Sequence, residues 1–283
     1  MQNTYLKAGY NLLLREEIKE LFNLFNQTEI FVILIKGISL IETVYPDLSL
    51  REIADIDLFV KEIERARIQE ILYARGYSLY NIRPDFFIKP TPPPIFVDLH
   101  SDPFFCDASE IFRNTQQINI ENVKVRILTF TYMLIYSIYH LGIRHCHLRE
   151  DWLRDINYIV RNRRIDWELF IRKVKEFNLA TAAYLILRKV EESFVCGVPH
   201  FVFKNLKPKN YFKLRFFEKI LYRKNPVYCI DYLLPLIFKP SLLFKYLKEE
   251  KEKNPSYLSF VKRISFLFFM QIKALLSLII KEA

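Results

Sequence analysis

The stretch LREIADIDLFV, residues 50–60, places two aspartates one residue apart within an otherwise apolar run. Side chains alternate between the two faces of a β-strand, so Asp55 and Asp57 would share one face while Ile56 points to the other. Two adjacent carboxylates repel each other, and a divalent cation between them would relieve that repulsion. An isolated pair of this kind is also typical of an edge strand with a solvated acidic face. The meaning of the two aspartates therefore depends on their surroundings.

The composition is that of a globular protein, because 51% of the 283 residues are hydrophobic. The five glycines form neither the GxGxxG pattern of dinucleotide-binding domains nor the phosphate loop of P-loop kinases. The four cysteines are scattered without a CxxC pair, which argues against a disulfide framework and against a cysteine-based zinc site. The first residues lack the apolar core of a signal peptide. We therefore predict a cytoplasmic protein.

Charge is distributed unevenly along the chain, which has a formal net charge of +10. Residues 1–110 contain 11 Lys and Arg against 17 Asp and Glu, a net charge of −6. Residues 111–283 contain 31 against 15, a net charge of +16. A basic surface attracts an anionic partner, either nucleic acid or a membrane surface. The alternative is a lysine-rich surface without a specific partner.

The first hundred residues alternate between helical periodicity and short apolar runs. The predicted helices cover residues 11–26, 37–45 and 62–76, and the predicted strands cover 29–36, 54–61, 77–80 and 95–100. The last of these strands, IFVDLH, carries a further carboxylate, Asp98. This order predicts a small mixed β-sheet with flanking helices.

From residue 128 onward the pattern changes to longer helical periodicity. Four successive helices are predicted over residues 129–142, 149–162, 166–178 and 181–197, the first closed by Gly142 and the last by Gly197. We therefore predict an α+β protein with two parts. Residues 1–127 contain the sheet, and residues 128–283 form a basic, mainly α-helical C-terminal domain.

The segment ISFLFFMQIKALLSLII, residues 264–280, is interrupted by Gln271 and Lys273. It is shorter than the ~20 apolar residues that a membrane-spanning helix needs. We predict a C-terminal helix that is buried or that binds a protein partner. A helix lying on a membrane surface is the alternative, since Lys262, Arg263 and Lys281 flank it.

Three features follow one another in the first part: Lys36-Gly37 between a strand and a helix, the pair Asp55 and Asp57, and Asp98 on a later strand. In this order they resemble the nucleotidyltransferases of the DNA polymerase β superfamily. The sequence ILIKGISLIETVYPDLSLREIADIDLFV, followed by FVDLHSDPF, is similar to an uncharacterised bacterial nucleotidyltransferase family within this superfamily. The resemblance is strong over residues 30–105, weaker over YHLGIRHCHLREDWLRDINYIV, and does not extend beyond about residue 200.

The resemblance implies a polymerase β-like catalytic domain over residues 1–127. It implies that a nucleoside monophosphate is transferred from an NTP, with ATP as the expected donor, to an acceptor hydroxyl. Asp55, Asp57 and Asp98 would hold Mg²⁺ or Mn²⁺ around the reacting phosphate.

The expected nucleotide-binding residues supply positive charge, a close backbone approach or a hydroxyl, and they are Lys36, Gly37, Ser39, Arg51 and His100. The usual Gly-Ser pair of the superfamily is Gly37-Ile38 here, so the serine role falls to Ser39. For Lys36 and Arg51, a surface cation beside acidic neighbours is the alternative interpretation.

The acceptor is expected to be anionic, such as the end of tRNA or another RNA, with a protein side chain or a small molecule as alternatives. Two other functions fit part of the pattern. A catalytically inactive binding or antitoxin module would not need all three acids. A glycosyltransferase that binds a sugar nucleotide through its DxD motif would leave Lys36-Gly37 and Asp98 without roles.

His140, His145 and His147 lie near the end of the first C-terminal helix. No cysteine or carboxylate stands at zinc-ligand spacing from them, so we expect one or more of them beside the nucleotide site, contacting phosphate or acceptor. Trp152 and Trp167 occur at the spacing of core positions on helices, and we predict that both serve packing.

Overall fold

The computed structural model describes residues 2–80, 85–103, 105–145 and 147–209, together with the pairs 214–215, 217–218 and 221–222. The predicted helix over residues 264–280 lies outside the described residues. In the part that is described, none of the helices has the length and apolar character needed to cross a membrane.

The protein has an α+β fold, as predicted. The helices are α1 (Gln2–Gln27), α2 (Gly37–Ile41), α3 (Arg65–Ala74), α4 (Ala108–Arg113), α5 (Phe130–Tyr139), α6 (Glu150–Asn162), α7 (Trp167–Glu176), α8 (Ala180–Phe194) and α9 (His200–Leu206). The strands are β1 (Val32–Ile35), β2 (Ile56–Val60), β3 (Ser78–Leu79), β4 (Phe86–Lys89), β5 (Ile95–His100), β6 (Thr115–Ile120) and β7 (Val123–Leu128). The sequence patterns did not predict β4 or the hairpin formed by β6 and β7.

The strands form one mixed sheet in the order β3-β4-β5-β2-β1-β7-β6. Strand β2 is antiparallel to β1 and parallel to β5. In this register Asp57 lies opposite Ile35 on one side and opposite Asp98 on the other. The end of β1 and the acidic positions of β2 and β5 therefore meet at one end of the central strands.

The buried apolar residues form one continuous cluster that extends from α1 through the sheet to α5, α6, α7 and α8. Strands β1 and β2 are buried along their whole length, as expected for central strands covered on both faces. The helices that follow β7 thus pack on the same core as the sheet. The division of the chain at residues 127 and 128 stays a prediction.

Gly142 does not end α5, contrary to the sequence prediction. The helical path continues as a π-helix over His140–Arg144. A Cβ atom at Gly142 would lie 2.7 Å from Ile186 Cδ1 and 3.1 Å from Ala182 Cβ, both on α8. Glycine is required here because it lets the end of α5 approach α8 closely. Helix α8 itself ends at Phe194, ahead of the predicted Gly197.

We expect Gly142→Ala to lower the free energy of unfolding by about 1–3 kcal/mol, because the added methyl overpacks the contact with α8. Urea unfolding followed by circular dichroism measures the change. Adding Ile186→Val removes the nearest atom, so the double variant should lose less than the sum of the two single variants.

Gly9→Ala is the matched control, because Gly9 lies in α1 and a Cβ there would have no atom within 4 Å. That substitution should stabilise the protein by up to about 1 kcal/mol through helix propensity. If Gly142→Ala were as harmless as Gly9→Ala, the close approach of the two helices would not be the reason for the glycine.

Candidate active site

A cavity of about 700 Å³ opens where the ends of β1, β2 and β5 face α5 and α6. The charged or polar residues that line it from the strand ends and the adjoining segments are Lys36, Ser39, Arg51, Glu52, Asp55, Asp57, Asp98, His100 and Asp102. Those that line it from the helices that follow the sheet and from the segment between them are Tyr136, Ser137, Tyr139, His140, Arg144, His145, Arg149, Asp151, Trp152 and Asp155. All eight residues that the sequence singled out as catalytic or nucleotide-binding line this one cavity.

Asp57, Asp98 and His100 form a compact cluster whose potential ligand atoms all lie within 4.8 Å of one another. His100 Nε2 lies 2.8 Å from Asp57 Oδ1 and 3.4 Å from Asp98 Oδ2. The cluster follows from the register, since Asp57 pairs with Asp98 and alternation places Asp98 and His100 on one face of β5. Two carboxylates and an imidazole are donors that suit a divalent cation. The two carboxylates therefore fit the Mg²⁺ or Mn²⁺ that the sequence predicts, whereas an imidazole is a more usual ligand of transition-metal ions than of Mg²⁺.

Asp55 lines the cavity but does not belong to this cluster. It stands one residue before β2, which begins at Ile56, so the alternation of a regular strand does not fix its direction. Burial and the negative charge of Asp55 together raise the pKa of the Tyr10 hydroxyl. The role of Asp55 as a metal ligand stays a prediction.

Lys36 supplies the positive charge next to the cluster. Its Nζ lies 2.5 Å from Asp57 Oδ1 and 3.2 Å from His100 Nε2. The backbone of Lys36 has φ 55° and ψ −136°, a conformation that favours glycine and is strained for lysine. The fold thus holds an unfavourable backbone conformation at a residue whose ammonium contacts the acids.

The charge state of Asp57 is set by opposing effects. Burial of the carboxyl, which is only 5% exposed, raises its pKa, but the Lys36 ammonium and His100 hold the pKa below its ordinary value. Asp57 is therefore ionised at neutral pH and available as an anionic ligand.

Gly37 and Ser39 fix the turn that carries Lys36. A Cβ on Gly37 would lie 3.1 Å from Ile53 Cγ2, so glycine allows this turn to pack against the loop before β2. Ser39 is buried, and its hydroxyl donates to the Lys36 carbonyl at 2.7 Å. These contacts give both residues a structural role, and their contact with a nucleotide stays a prediction.

Arg51 forms a bidentate ion pair with Asp155 on α6. Its Nε and Nη2 donate to Asp155 Oδ1 and Oδ2 at 2.9 and 3.1 Å, and the Tyr45 hydroxyl donates to Oδ1 at 2.5 Å. Burial alone would lower the pKa of Arg51, but the attraction of Asp155 raises it. The pair fastens the loop before β2 to α6. The predicted contact of Arg51 with phosphate stays a prediction beside this structural role.

His140 and His145 lie together, with ring centroids 4.4 Å apart, and both contact Trp152 at 4.9 and 4.8 Å. Trp152 packs against the hydrophobic core, as predicted, and its indole also lines the cavity. His147, in contrast, is not one of the lining residues. Trp167 packs edge-on against Phe170 at 5.5 Å, as predicted for a core position.

Burial and the neighbouring positive charges lower the pKa of both imidazoles. The pKa of His140 falls well below its ordinary value, and that of His145 falls to about 4. Both rings are therefore neutral at pH 7. A neutral imidazole offers no charge to a phosphate but can still donate a hydrogen bond, so the expected contact with phosphate or acceptor stays a prediction.

Sequence reasoning missed Tyr136 on α5 as a residue of the site. Burial, Asp57 and Asp98 all raise the pKa of its hydroxyl, so it stays protonated beside the cluster as a hydrogen-bond donor. Its position within the apolar periodicity of α5 concealed it among core residues. Arg144 and Arg149 also add positive charge to the cavity wall, and they lie in the stretch where the family resemblance is weaker, so no motif singled them out.

A family model described as "Uncharacterised nucleotidyltransferase" matches residues 2–194, from the start of α1 to the end of α8. No curated protein matches the chain. Among solved structures, an antigenic nucleotidyltransferase-like protein from Paracoccidioides brasiliensis is similar, with 14% identity, a TM-score of 0.49, and coverage of 69% of this chain and 92% of that one. The lincosamide antibiotic adenylyltransferase LnuA, bound to lincomycin, gives 16% identity, a TM-score of 0.38, and coverage of 51% and 94%.

We expect Lys36→Met, measured with a chelator present, to lower the free energy of unfolding at pH 7 by about 3 kcal/mol, because it leaves the Asp57 carboxylate buried without its cation. In the wild type, the lowered pKa of Asp57 adds stability above the unfolded value of 3.8, and this is lost as the pH falls through the folded pKa. In the variant, the pKa of Asp57 should rise. The loss of stability should therefore be smaller at pH 4, where that carboxyl can take up a proton.

Lys89→Met is the control for this variant. Lys89 Nζ lies 2.7 Å from Glu17 Oε2, and the exposed fractions of the two side chains, 19% and 7%, are close to the 20% and 5% of Lys36 and Asp57. Both variants should lose stability. Only Lys36→Met should bind Mn²⁺ more tightly than the wild type in an electron paramagnetic resonance titration, because the Lys36 ammonium that competes for Asp57 has been removed. Unchanged Mn²⁺ affinity would refute that competition.

Arg51→Met should lower the free energy of unfolding by about 3 kcal/mol, because Asp155 would remain buried and unpaired. The double variant Arg51→Met with Asp155→Leu should lose much less, since an apolar pair can replace a buried ion pair. Denaturant unfolding of the two variants checks this. ATP affinity of the folded double variant then reports separately whether Arg51 also contacts the nucleotide.

Proposed function

Because the chain belongs to this family of uncharacterised nucleotidyltransferases, we propose that it transfers AMP from ATP to a hydroxyl group of an acceptor. The observation that carries the proposal is the cluster of Asp57, Asp98 and His100, with Lys36 in contact, at the end of the central strands. The cluster lies within the matched residues and lines a cavity of about 700 Å³, a size suited to a nucleotide.

In the proposed reaction, the acceptor oxygen attacks the α-phosphorus of ATP. An oxygen–phosphorus bond forms to the acceptor, the bond between the α-phosphorus and the bridging oxygen breaks, and pyrophosphate leaves with the electron pair. The proton of the acceptor hydroxyl passes to a base. Mg²⁺ or Mn²⁺, when bound, would neutralise the charge that develops on the attacking and leaving oxygens.

Asp57 and Asp98 would hold the metal, with His100 beside them and Asp55 as the third acid. Asp57 can do so because its lowered pKa keeps it ionised at neutral pH. The side chains of Asp57 and Asp98 are only 5% and 13% exposed, and two carboxylates so largely removed from water gain much from a divalent cation.

The remaining charged and polar groups of the cavity suit a triphosphate. Lys36 provides an ammonium on the sheet side, while Arg144 and Arg149 add guanidinium groups on the helical side. Tyr136 keeps its proton and can donate a hydrogen bond to a phosphate oxygen. The donors would position the nucleotide before reaction rather than take part in bond breaking.

For the acceptor, we propose an RNA end, such as that of tRNA. The proposal is supported by the net charge of +16 over residues 111–283, which contrasts with −6 over residues 1–110. We further propose a cytoplasmic location, where both ATP and RNA are present. Since Asp57, Asp98 and His100 are assembled in one cluster, an active enzyme is favoured over an inactive binding module.

The direct test is incubation of the purified protein with ATP labelled at the α-phosphate, Mg²⁺ and total cellular RNA. We expect label in RNA, and we expect Asp57→Asn and Asp98→Asn each to reduce it by at least about 100-fold, because metal affinity falls when a ligand changes. Gel electrophoresis with nuclease or protease treatment identifies the labelled molecule.

Asp107→Asn is the control, because Asp107 caps α4 by accepting from the Ser109 amide at 2.8 Å and does not line the cavity. It should leave labelling unchanged. Label in protein but not in RNA would refute the RNA acceptor. Label that survives Asp57→Asn in a folded variant would refute the proposed catalytic cluster.

A further inference from the structure

The helical wall of the cavity carries a group of aromatic rings, which we call the aromatic shelf: His140, His145 and Trp152. The three ring centroids lie within 4.9 Å of one another. They come from two elements, the π-helix with its C-terminal cap and the first turn of α6. The shelf is thus a product of tertiary structure, and each ring is only partly buried and lines the cavity.

The shelf is suited to a flat ring more than to an anion. The two imidazoles are neutral at pH 7, as described above, and the indole is uncharged. Aromatic faces bind planar rings by stacking and do so without a charge on either partner. The Arg149 guanidinium lies over the Trp152 ring, 4.7 Å from its centre, so it adds a cation–π contact on one face of the indole.

The shelf lines the same cavity as Lys36, Asp57, Asp98 and His100, beside which we propose that the phosphates lie. His140 interacts electrostatically with Lys36 and His100, both of which contact Asp57. A ring on the shelf could therefore belong to the same molecule as a phosphate beside Lys36. Within one cavity of about 700 Å³, an aromatic surface and a cluster suited to a metal-bound phosphate match the two ends of a nucleotide.

We propose that the aromatic shelf stacks the base of the donor nucleotide, with Trp152 as its main contact surface. This inference rests on the proposed function, since it takes an NTP as the donor. Stacking on a ring face is tolerant of base identity. The shelf by itself would therefore bind any of the four common bases, and a preference for adenine would come from other groups.

The two tryptophans of the chain make a direct test possible. Trp167 packs against Phe170 and does not line this cavity, so Trp167→Phe leaves Trp152 as the only indole. A base stacked on Trp152 quenches its fluorescence. Titration with Mg²⁺ and the analogue α,β-methylene-ATP should quench the emission to a plateau. Inorganic tripolyphosphate, which has the phosphates without the base, should not.

Affinity measurements separate stacking from a structural role of Trp152. We expect Trp152→Leu to weaken binding of α,β-methylene-ATP about 10-fold, as for the loss of one stacked base. Its affinity for tripolyphosphate should be unchanged, and Trp152→Phe should retain most of the nucleotide affinity. A variant with a damaged fold would lose affinity for both ligands. Calorimetry provides the dissociation constants, and circular dichroism confirms that each variant is folded.

The outcomes distinguish this inference from the proposed function. If the wild type binds the analogue but Trp152 is not quenched and Trp152→Leu binds normally, the shelf has another role while the proposed function stands. If an RNA oligonucleotide quenches Trp152 and the analogue does not, the shelf belongs to the acceptor, and the inference is wrong. If the wild type does not bind the analogue at all, both proposals fail.

Discussion

A carboxylate at the centre of a β-sheet is the constraint on which this site depends. Asp57 lies in β2 between two paired strands and is only 5% exposed. A charge removed from water to this extent requires a partner, and Lys36 and His100 provide it. This need for a partner accounts for two unusual features of the turn after β1: the strained backbone of Lys36 and the close packing of Gly37 on Ile53. Both help to place the Lys36 ammonium beside Asp57.

The two buried aspartates of the cavity, Asp57 and Asp155, are paired with different cations. The difference distinguishes an acid suited to binding a ligand from an acid that stabilises the structure. Asp155 is gripped by the planar fork of Arg51 in two parallel hydrogen bonds, which define one geometry. Asp57 meets the single point charge of Lys36 at the end of a flexible side chain. A lysine can move its charge to a new partner more readily than a bidentate arginine can. The first pair therefore fixes the cavity wall, while the second leaves its acid open to exchange.

Much of the fold and part of the site could be predicted from sequence because the relevant patterns are local. Apolar spacing indicated α6, α7 and α8, and the order of Lys36-Gly37, the two aspartates and Asp98 indicated a nucleotidyltransferase. The hairpin of β6 and β7 was missed because TQQINI lacks the apolar character of a strand. The pair of Arg51 and Asp155 joins residues 104 positions apart, a relation that no local pattern contains. The position of Asp55 outside the cluster depends on where β2 begins, which alternation cannot specify.

The π-helix after α5 makes the spacing between His140 and His145 matter for the chemistry of the cavity. His140 and His145 are five positions apart, which in an α-helix, with 3.6 residues per turn, would rotate them about 140° from each other. Here the amide of His145 bonds the carbonyl of His140 at 3.0 Å, the five-residue step of a π-turn, and the two rings meet. In relatives of this protein, the number of residues between α5 and α6 would then decide whether two imidazoles meet in the site. The types of residue in that interval would matter less. A change of one residue in that interval alters the surface that a substrate meets while leaving the acids of the sheet in place.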